Sequence, residues 1–174
     1  MDSIQVRTLH PVGDREIQDL SDVLIDCVEG GASVSFMLPI TRRTAMSFWQ
    51  NVAACVARGE RILLVAEEAA GRIVGTVQLI VAQAENQPHR ADVAKMLVHR
   101  RARRHGVGAA LLAAAESAAL NAGKTLLVLD TASGDAERLY AKLGWQRCGV
   151  IPDYALLPGG GFCDTTFFYR ALGR

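Results

Sequence analysis

The chain of 174 residues contains five prolines, four histidines and four cysteines, and its aromatic share is 6%. Each shortage excludes something. Cys27, Cys55, Cys148 and Cys163 lie far apart with no C-x-x-C pair, so the thiols are expected to be reduced and packed. His10, His89, His99 and His105 keep no metal-ligand spacing among themselves or with the cysteines, and no metal is expected. An excess of one charge is lacking too. The net charge is +1, which disfavours a nucleic-acid binder, because such proteins spread positive charge over a whole face. Long apolar runs are missing: Ile62 to Ala66 and Leu79 to Ala82 are too short to cross a bilayer, and Met1 to Arg7 carries no signal-peptide core. A cytoplasmic protein without a membrane partner is expected.

Half of the residues are hydrophobic, enough for one compact α/β domain over residues 1–174. Alternation predicts a strand at Ile4 to Leu9. Asp14 is expected to cap a helix reaching about Val28, and Pro39 and Thr41 to open a second one to about Arg58, with Ala45, Phe48, Trp49, Val52 and Val56 inward. A hairpin of Arg61 to Glu67 and Ile73 to Ala82 follows, then a strand at Ala91 to Val98. Gly106 to Ala122 reads as a helix and Thr125 to Asp130 as a strand buried on both faces, the sign of a parallel pairing. Ser133 or Asp135 starts a short helix to about Leu143. Trp145 to Val150 and Thr165 to Leu172 are the last strands, separated by a loop holding Pro152, Pro158 and Gly159 to Gly161.

The densest chemistry lies between Met96 and Leu112. An apolar strand stops, four arginines (Arg100, Arg101, Arg103, Arg104) crowd together, Gly106 and Gly108 flank Val107, and a helical pattern begins. Glycine admits close approach of backbone to an anion, and uncapped N–H groups at a helix start attract negative charge. With a near-zero net charge, this cluster suits one small anionic ligand. Leu111 breaks a dinucleotide fingerprint, and no Walker loop is present.

What fits is Arg103-x-x-Gly106-x-Gly108 between a strand and a helix, followed by Ala136-x-x-x-Tyr140-x-x-x-Gly144-Trp145 on the next helix. These two blocks, in this order, resemble the GNAT superfamily of acyl-CoA-dependent N-acyltransferases. Gly30 to Met37, Arg90 to Met96 and Leu129 to Thr131 are more narrowly similar to its tabtoxin-resistance acetyltransferases. The resemblance implies a mixed, mostly antiparallel central sheet of about seven strands with a splayed parallel pair and about four flanking helices. It also implies acetyl-CoA as co-substrate. The pyrophosphate would lie on the backbone of Arg104, His105, Gly106, Val107 and Gly108, continuing to Ala109, with Arg103 assisting. The pantetheine arm would pair with Met96, Leu97 and Val98.

Acetyl transfer to an amine needs a neutral amine, donors for the oxyanion and a proton for the departing thiolate. Tyr140 matches the family tyrosine and is the expected general acid. Helical spacing with Ala136, Leu139 and Leu143 would equally make it a core residue. The base is Asp92, Asp130 or a water chain. Strand period puts Asp92, Ala94, Met96 and Val98 on one face, where a carboxylate among apolar neighbours would titrate high. Asp130 ends the following strand beside the same crevice. The family's acceptor side implies Glu29, Ser33, Ser35, Phe36 and Tyr154, with a small polar amine as acceptor: an amino acid, a dipeptide-like toxin or a polyamine. A peptide N-acetyltransferase, a silent acyl-CoA sensor and a homodimer are the other readings that stay open.

Overall fold

The computed structural model describes residues 4–173. Its elements are β1 (Gln5–Thr8), α1 (Asp14–Glu29), α2 (Arg42–Ala57), β2 (Arg61–Glu67), β3 (Ile73–Ile80), β4 (Arg90–Val98), α3 (Val107–Asn121), β5 (Leu126–Thr131), α4 (Gly134–Lys142), β6 (Gln146–Leu156) and β7 (Phe162–Ala171). A short 3-10 turn, Arg100–Ala102, joins β4 to α3. The strands form one sheet in the order β1-β2-β3-β4-β5-β7-β6, in which only β4 and β5 run parallel.

Both sheet faces are covered. Ile17, Leu20, Leu24 and Cys27 recur at helical spacing on α1 and pack with Ala45, Trp49, Val52 and Val56 of α2 on one face. Phe48, expected inward, is only half-buried. On the other face Val107, Leu111, Leu112, Ala115 and Ala119 of α3 meet Val77, Leu79 and Val93. Gly75 allows this close packing: a Cβ there would come within 3.0 Å of Val107 and 3.1 Å of Leu111. Thr41 caps α2 by accepting from the Thr44 amide at 3.1 Å. Asp14 does not cap α1. Gly13 stands at the cap, and Asp14 is the first helical residue, where its charge opposes the positive end of the helix dipole.

Three features depart from the sequence reading. β5 is not buried on both faces: Leu127 and Leu129 are buried, Leu126 and Val128 half-buried, Asp130 exposed. The reason is that α1 and α2 pack over β2, β3 and β4, so the face of β5 that carries Leu126, Val128 and Asp130 is covered less than its α3 side. β6 continues through Pro152 to Leu156. Proline is tolerated there because β6 is an edge strand with one free side. The loop shrinks to a tight turn closed by the Leu157 amide on the Gly161 carbonyl, 2.9 Å. Finally, β4 bulges. Gln78 faces Ala94 and Thr76 faces Leu97, so Lys95 and Met96 together oppose Val77. Lys95 takes φ +50 at this bulge. The side-chain alternation reverses across it: Ala91 and Val93 lie in the α3-side core and Leu97 in the α1–α2 core, while Met96 and Val98 rejoin the α3 side. Asp92 and Ala94 therefore do not share a face with Met96 and Val98.

Candidate active site

The parting of β4 and β5 creates the crevice. Beyond Asp92 the β5-facing edge of β4 has no strand partner, leaving the stretch through Met96, Leu97 and Val98 open to an extended ligand. Val98 stays held on its other side, opposite Gly75. Its carbonyl accepts from Arg103 Nε at 3.0 Å and from the Cys27 thiol at 3.5 Å. Arg103 thus turns back and fixes the end of β4.

At the far end of this strand α3 begins without a side-chain cap. Gly106 holds the cap position at φ +78, an angle that side chains disfavour, and a Cβ there would meet nothing within 4 Å. Its neighbour Arg104 is also left-handed, φ +66, and exposed, as is His105. The first N–H groups of the helix lack a capping acceptor and carry the positive end of its dipole. This suits a phosphate group. Gly108 serves packing instead, since a Cβ would come within 2.9 Å of Met96 and 3.0 Å of Leu139. Val107 is buried and Ala109 half-buried, so what they offer a ligand is backbone. Arg100 and Arg101 are engaged in ion pairs with Asp26 at 2.9 Å and Glu68 at 3.0 Å, tying the loop to α1 and to the β2–β3 turn.

Tyr140 projects from α4, with its ring 5.7 Å from Trp145 and 5.6 Å from Phe168. The Ser133 side chain starts this helix by accepting from the Ala136 amide at 3.4 Å. Burial, and then the charge of Asp130, push the Tyr140 phenol well above its ordinary value, so it stays protonated. Asp130 sits at the exposed end of β5 and accepts from Thr165 at 3.0 Å. Asp92 lies at the last β4 position paired with β5, opposite Val128 and so two residues along the sheet from Asp130. Gln83 donates to it at 3.2 Å and Arg90 at 3.4 Å, so its surroundings are polar rather than apolar.

The residues expected to meet the acceptor have unequal parts. Glu29 is exposed at the end of α1. Ser33 donates to the Leu156 carbonyl at 3.0 Å and accepts from Cys163, and the Leu38 amide donates to the Pro158 carbonyl at 2.9 Å. These contacts tie the α1–α2 loop to the β6–β7 arm. Phe36 packs edge-on against Phe48 at 5.3 Å. Tyr154 is half exposed and meets Phe167 edge-on at 5.8 Å. Ser35, at φ +79, accepts from the Lys95 ammonium at 3.0 Å.

Lys95 has no place in the sequence reading of the site. Burial pulls its ammonium below the ordinary lysine value; Asp130 opposes that shift and Arg61 reinforces it. A single cation inside the apolar run from Val93 to Val98 was the available signal. Among the described residues no cluster of metal-ligating side chains occurs, and no helix is long and apolar enough to cross a membrane. Cys27 is buried as expected, but Cys148 is exposed on the edge strand β6.

Residues 59–147 match the family model for the acetyltransferase (GNAT) domain. The chain belongs to this family of acetyl-CoA-dependent acyltransferases. Solved structures share the fold. One is an acetyltransferase (so described) from Salmonella typhimurium with acetyl-CoA, 18% identical, TM-score 0.80, covering 99% of this chain and 95% of that one. A phosphinothricin acetyltransferase from Sinorhizobium meliloti, in complex with acetyl-CoA, is 17% identical with TM-score 0.81, over 98% and 89% of the two chains. A ribosomal-protein-alanine N-acetyltransferase from Brucella melitensis is 21% identical with TM-score 0.77, over 97% and 99%.

Proposed function

We propose that this chain acts as one domain that moves an acetyl group from acetyl-CoA to the amine of a small polar acceptor, directly, in a ternary complex. The observation that carries this reading is the open β4 edge, which leads from its parting with β5 to the uncapped start of α3, with Asp130 on β5 just beyond the parting and its charge acting on Tyr140. Backbone of Arg104 to Ala109 holds the pyrophosphate, and Met96 to Val98 pair with the pantetheine arm. The acceptor nitrogen forms a bond to the acetyl carbon as the carbon–sulfur bond breaks. The Tyr140 phenol gives its proton to the departing thiolate. Asp130, itself or through water, takes the proton that the amine loses. Asp92 is the weaker candidate for the base, because Arg90 and Gln83 already engage it.

The contacts that tie the α1–α2 loop to the β6–β7 arm favour a small molecule over an extended peptide as acceptor. A toxin-modifying role, as in the tabtoxin-resistance branch and the phosphinothricin acetyltransferases, fits an acceptor of that size. Four free thiols accord with a cytoplasmic setting. The apolar row Val150, Ile151, Tyr154, Leu156 and Phe162 on the exposed arm supports a homodimer.

The test is thiol release from acetyl-CoA over a panel of amino acids, dipeptides, polyamines and peptides. Release with a small amine supports the reading. Release with peptides alone replaces it with the peptide reading. Tight acetyl-CoA binding without release for any acceptor overturns it in favour of a sensor.

A further inference from the structure

Among the described residues four non-glycine positions adopt left-handed backbone: Ser35, Lys95, Arg104 and Asp153. Such angles are costly for residues with a Cβ and persist where the surroundings impose them. Two of the four are joined to each other, Lys95 donating to Ser35 at 3.0 Å. The bulge of β4 and the α1–α2 loop thus hold one ammonium group at the point where β4 leaves β5.

The surroundings of that ammonium are short of negative charge. Lys95 lies 5.9 Å from the Phe48 ring centroid. Among the described residues neither Lys95 nor Arg61 forms an ion pair with a carboxylate. Arg61 instead donates to the Gln78 carbonyl oxygen at 2.7 Å, and its charge acts on Lys95 as repulsion. Gln78 is fully buried, and its amide nitrogen has no acceptor among the described residues. It sits directly across from Ala94, next to Lys95, and the alternation of β3 turns it to the α1–α2 side, away from Val77 and Leu79. A half-buried cation whose acceptor is a neutral hydroxyl lacks a counter-charge, and an incoming anion supplies one. Across the splay stands Asp130, which acts on Lys95 electrostatically but forms no ion pair with it.

We propose that Lys95 and Arg61 form a carboxylate-reading subsite, which makes the acceptor an α-amino acid or short-peptide zwitterion. This rests on the acetyl-transfer reading above and narrows it. The carboxylate takes the Lys95 side of the crevice and the amine lies toward Asp130, so a molecule with both groups spans the two charges that the protein keeps apart. A polyamine meets repulsion from Lys95 and Arg61.

The experiment compares free L-amino acids with their carboxamides, and L-lysine with cadaverine, in wild type, Lys95→Met and Lys95→Arg. In wild type the acid is expected to exceed its amide or decarboxylated partner by roughly 10- to 100-fold in kcat/KM, the worth of one charged hydrogen bond, mainly through KM. Lys95→Met should erase the preference and Lys95→Arg restore part of it, with calorimetric acetyl-CoA binding equal in all three. Without acetyl-CoA, the preferred acid should raise the Tm of wild type and not of Lys95→Met. Equal use of acid and amide by wild type, or an undiminished preference in Lys95→Met, overturns the subsite while leaving the transferase standing. Acetyl-CoA binding without release for any acceptor overturns both.

Discussion

The Asp26 carboxylate clasps Arg100 twice, accepting its backbone N–H at 2.7 Å and its Nε at 2.9 Å. His99 stands 3.6 Å from the same carboxylate, and its ring accepts from the Arg101 amide. One side chain near the end of α1 therefore fixes where β4 stops and where the arginine-rich loop starts. Arg100 serves this clasp, and in the proposed reading the phosphate falls to the backbone beyond it.

Asp26→Asn is expected to destabilise the fold by about 1–3 kcal/mol, the range for hydrogen bonds to a charged group. Burial alone would raise the Asp26 pKa, but the two bonds from Arg100 outweigh it and hold the carboxyl below its ordinary value of 3.8. The stabilisation is then fully present above that ordinary value and is lost as pH falls through the lowered one. Chemical denaturation of both proteins should show a gap at pH 7 that closes below pH 3.8. A constant gap would mean that the charge of Asp26 contributes nothing.

Gly106→Ala probes the phosphate cradle. The new Cβ meets no atom within 4 Å, so its cost is the left-handed backbone, about 1–2 kcal/mol. Any shift toward ordinary angles re-aims the N–H groups that start α3. The expected result is a raised acetyl-CoA KM with kcat nearly kept and a small loss in Tm. Gly108→Ala should leave both KM and Tm nearly unchanged, because its Cβ meets only the ends of the Met96 and Leu139 side chains, which can shift. An unchanged KM in Gly106→Ala would remove this loop from cofactor binding.

Tyr140→Phe separates chemistry from core packing. The ring keeps its contacts with Trp145 and Phe168, so Tm should stay near wild type. Loss of a general acid lowers kcat by about 10²- to 10⁴-fold. The buried phenol stays protonated well past neutrality, so no alkaline loss of activity near pH 9 should belong to it. Unchanged kcat at saturating acetyl-CoA would return Tyr140 to the core.

The sheet, the four helices and the Gly106 turn were legible because periodicity, capping residues and glycine punctuation agree locally. Thr41 and Ser133 cap where the sequence placed caps. What escaped depends on partners distant in sequence. The β4 bulge arises from its pairing with β3, and Lys95, unlike glycine, does not advertise a positive φ. That one inserted residue reverses the faces of β4 and parts Asp92 from the Met96 and Val98 side. Pro152 read as a loop residue because nothing local says that β6 is an edge. The bonds of Arg103 to Val98 and of Ser33 to Leu156 likewise join positions that no local pattern connects.

Cys27 offers the last test, since its thiol reaches the Val98 carbonyl at the crevice and an acetyl-cysteine route would need such a group. Burial, chiefly, pushes this thiol above its ordinary value, while Arg103 pulls it back only in part, so the nucleophilic thiolate is scarce at neutral pH. Direct transfer then predicts that Cys27→Ser retains turnover within a few-fold. Initial rates at varied acetyl-CoA and acceptor should give intersecting double-reciprocal lines in wild type and variant alike. Parallel lines in wild type, together with loss of turnover in Cys27→Ser, would establish an acetyl-enzyme and displace the ternary complex.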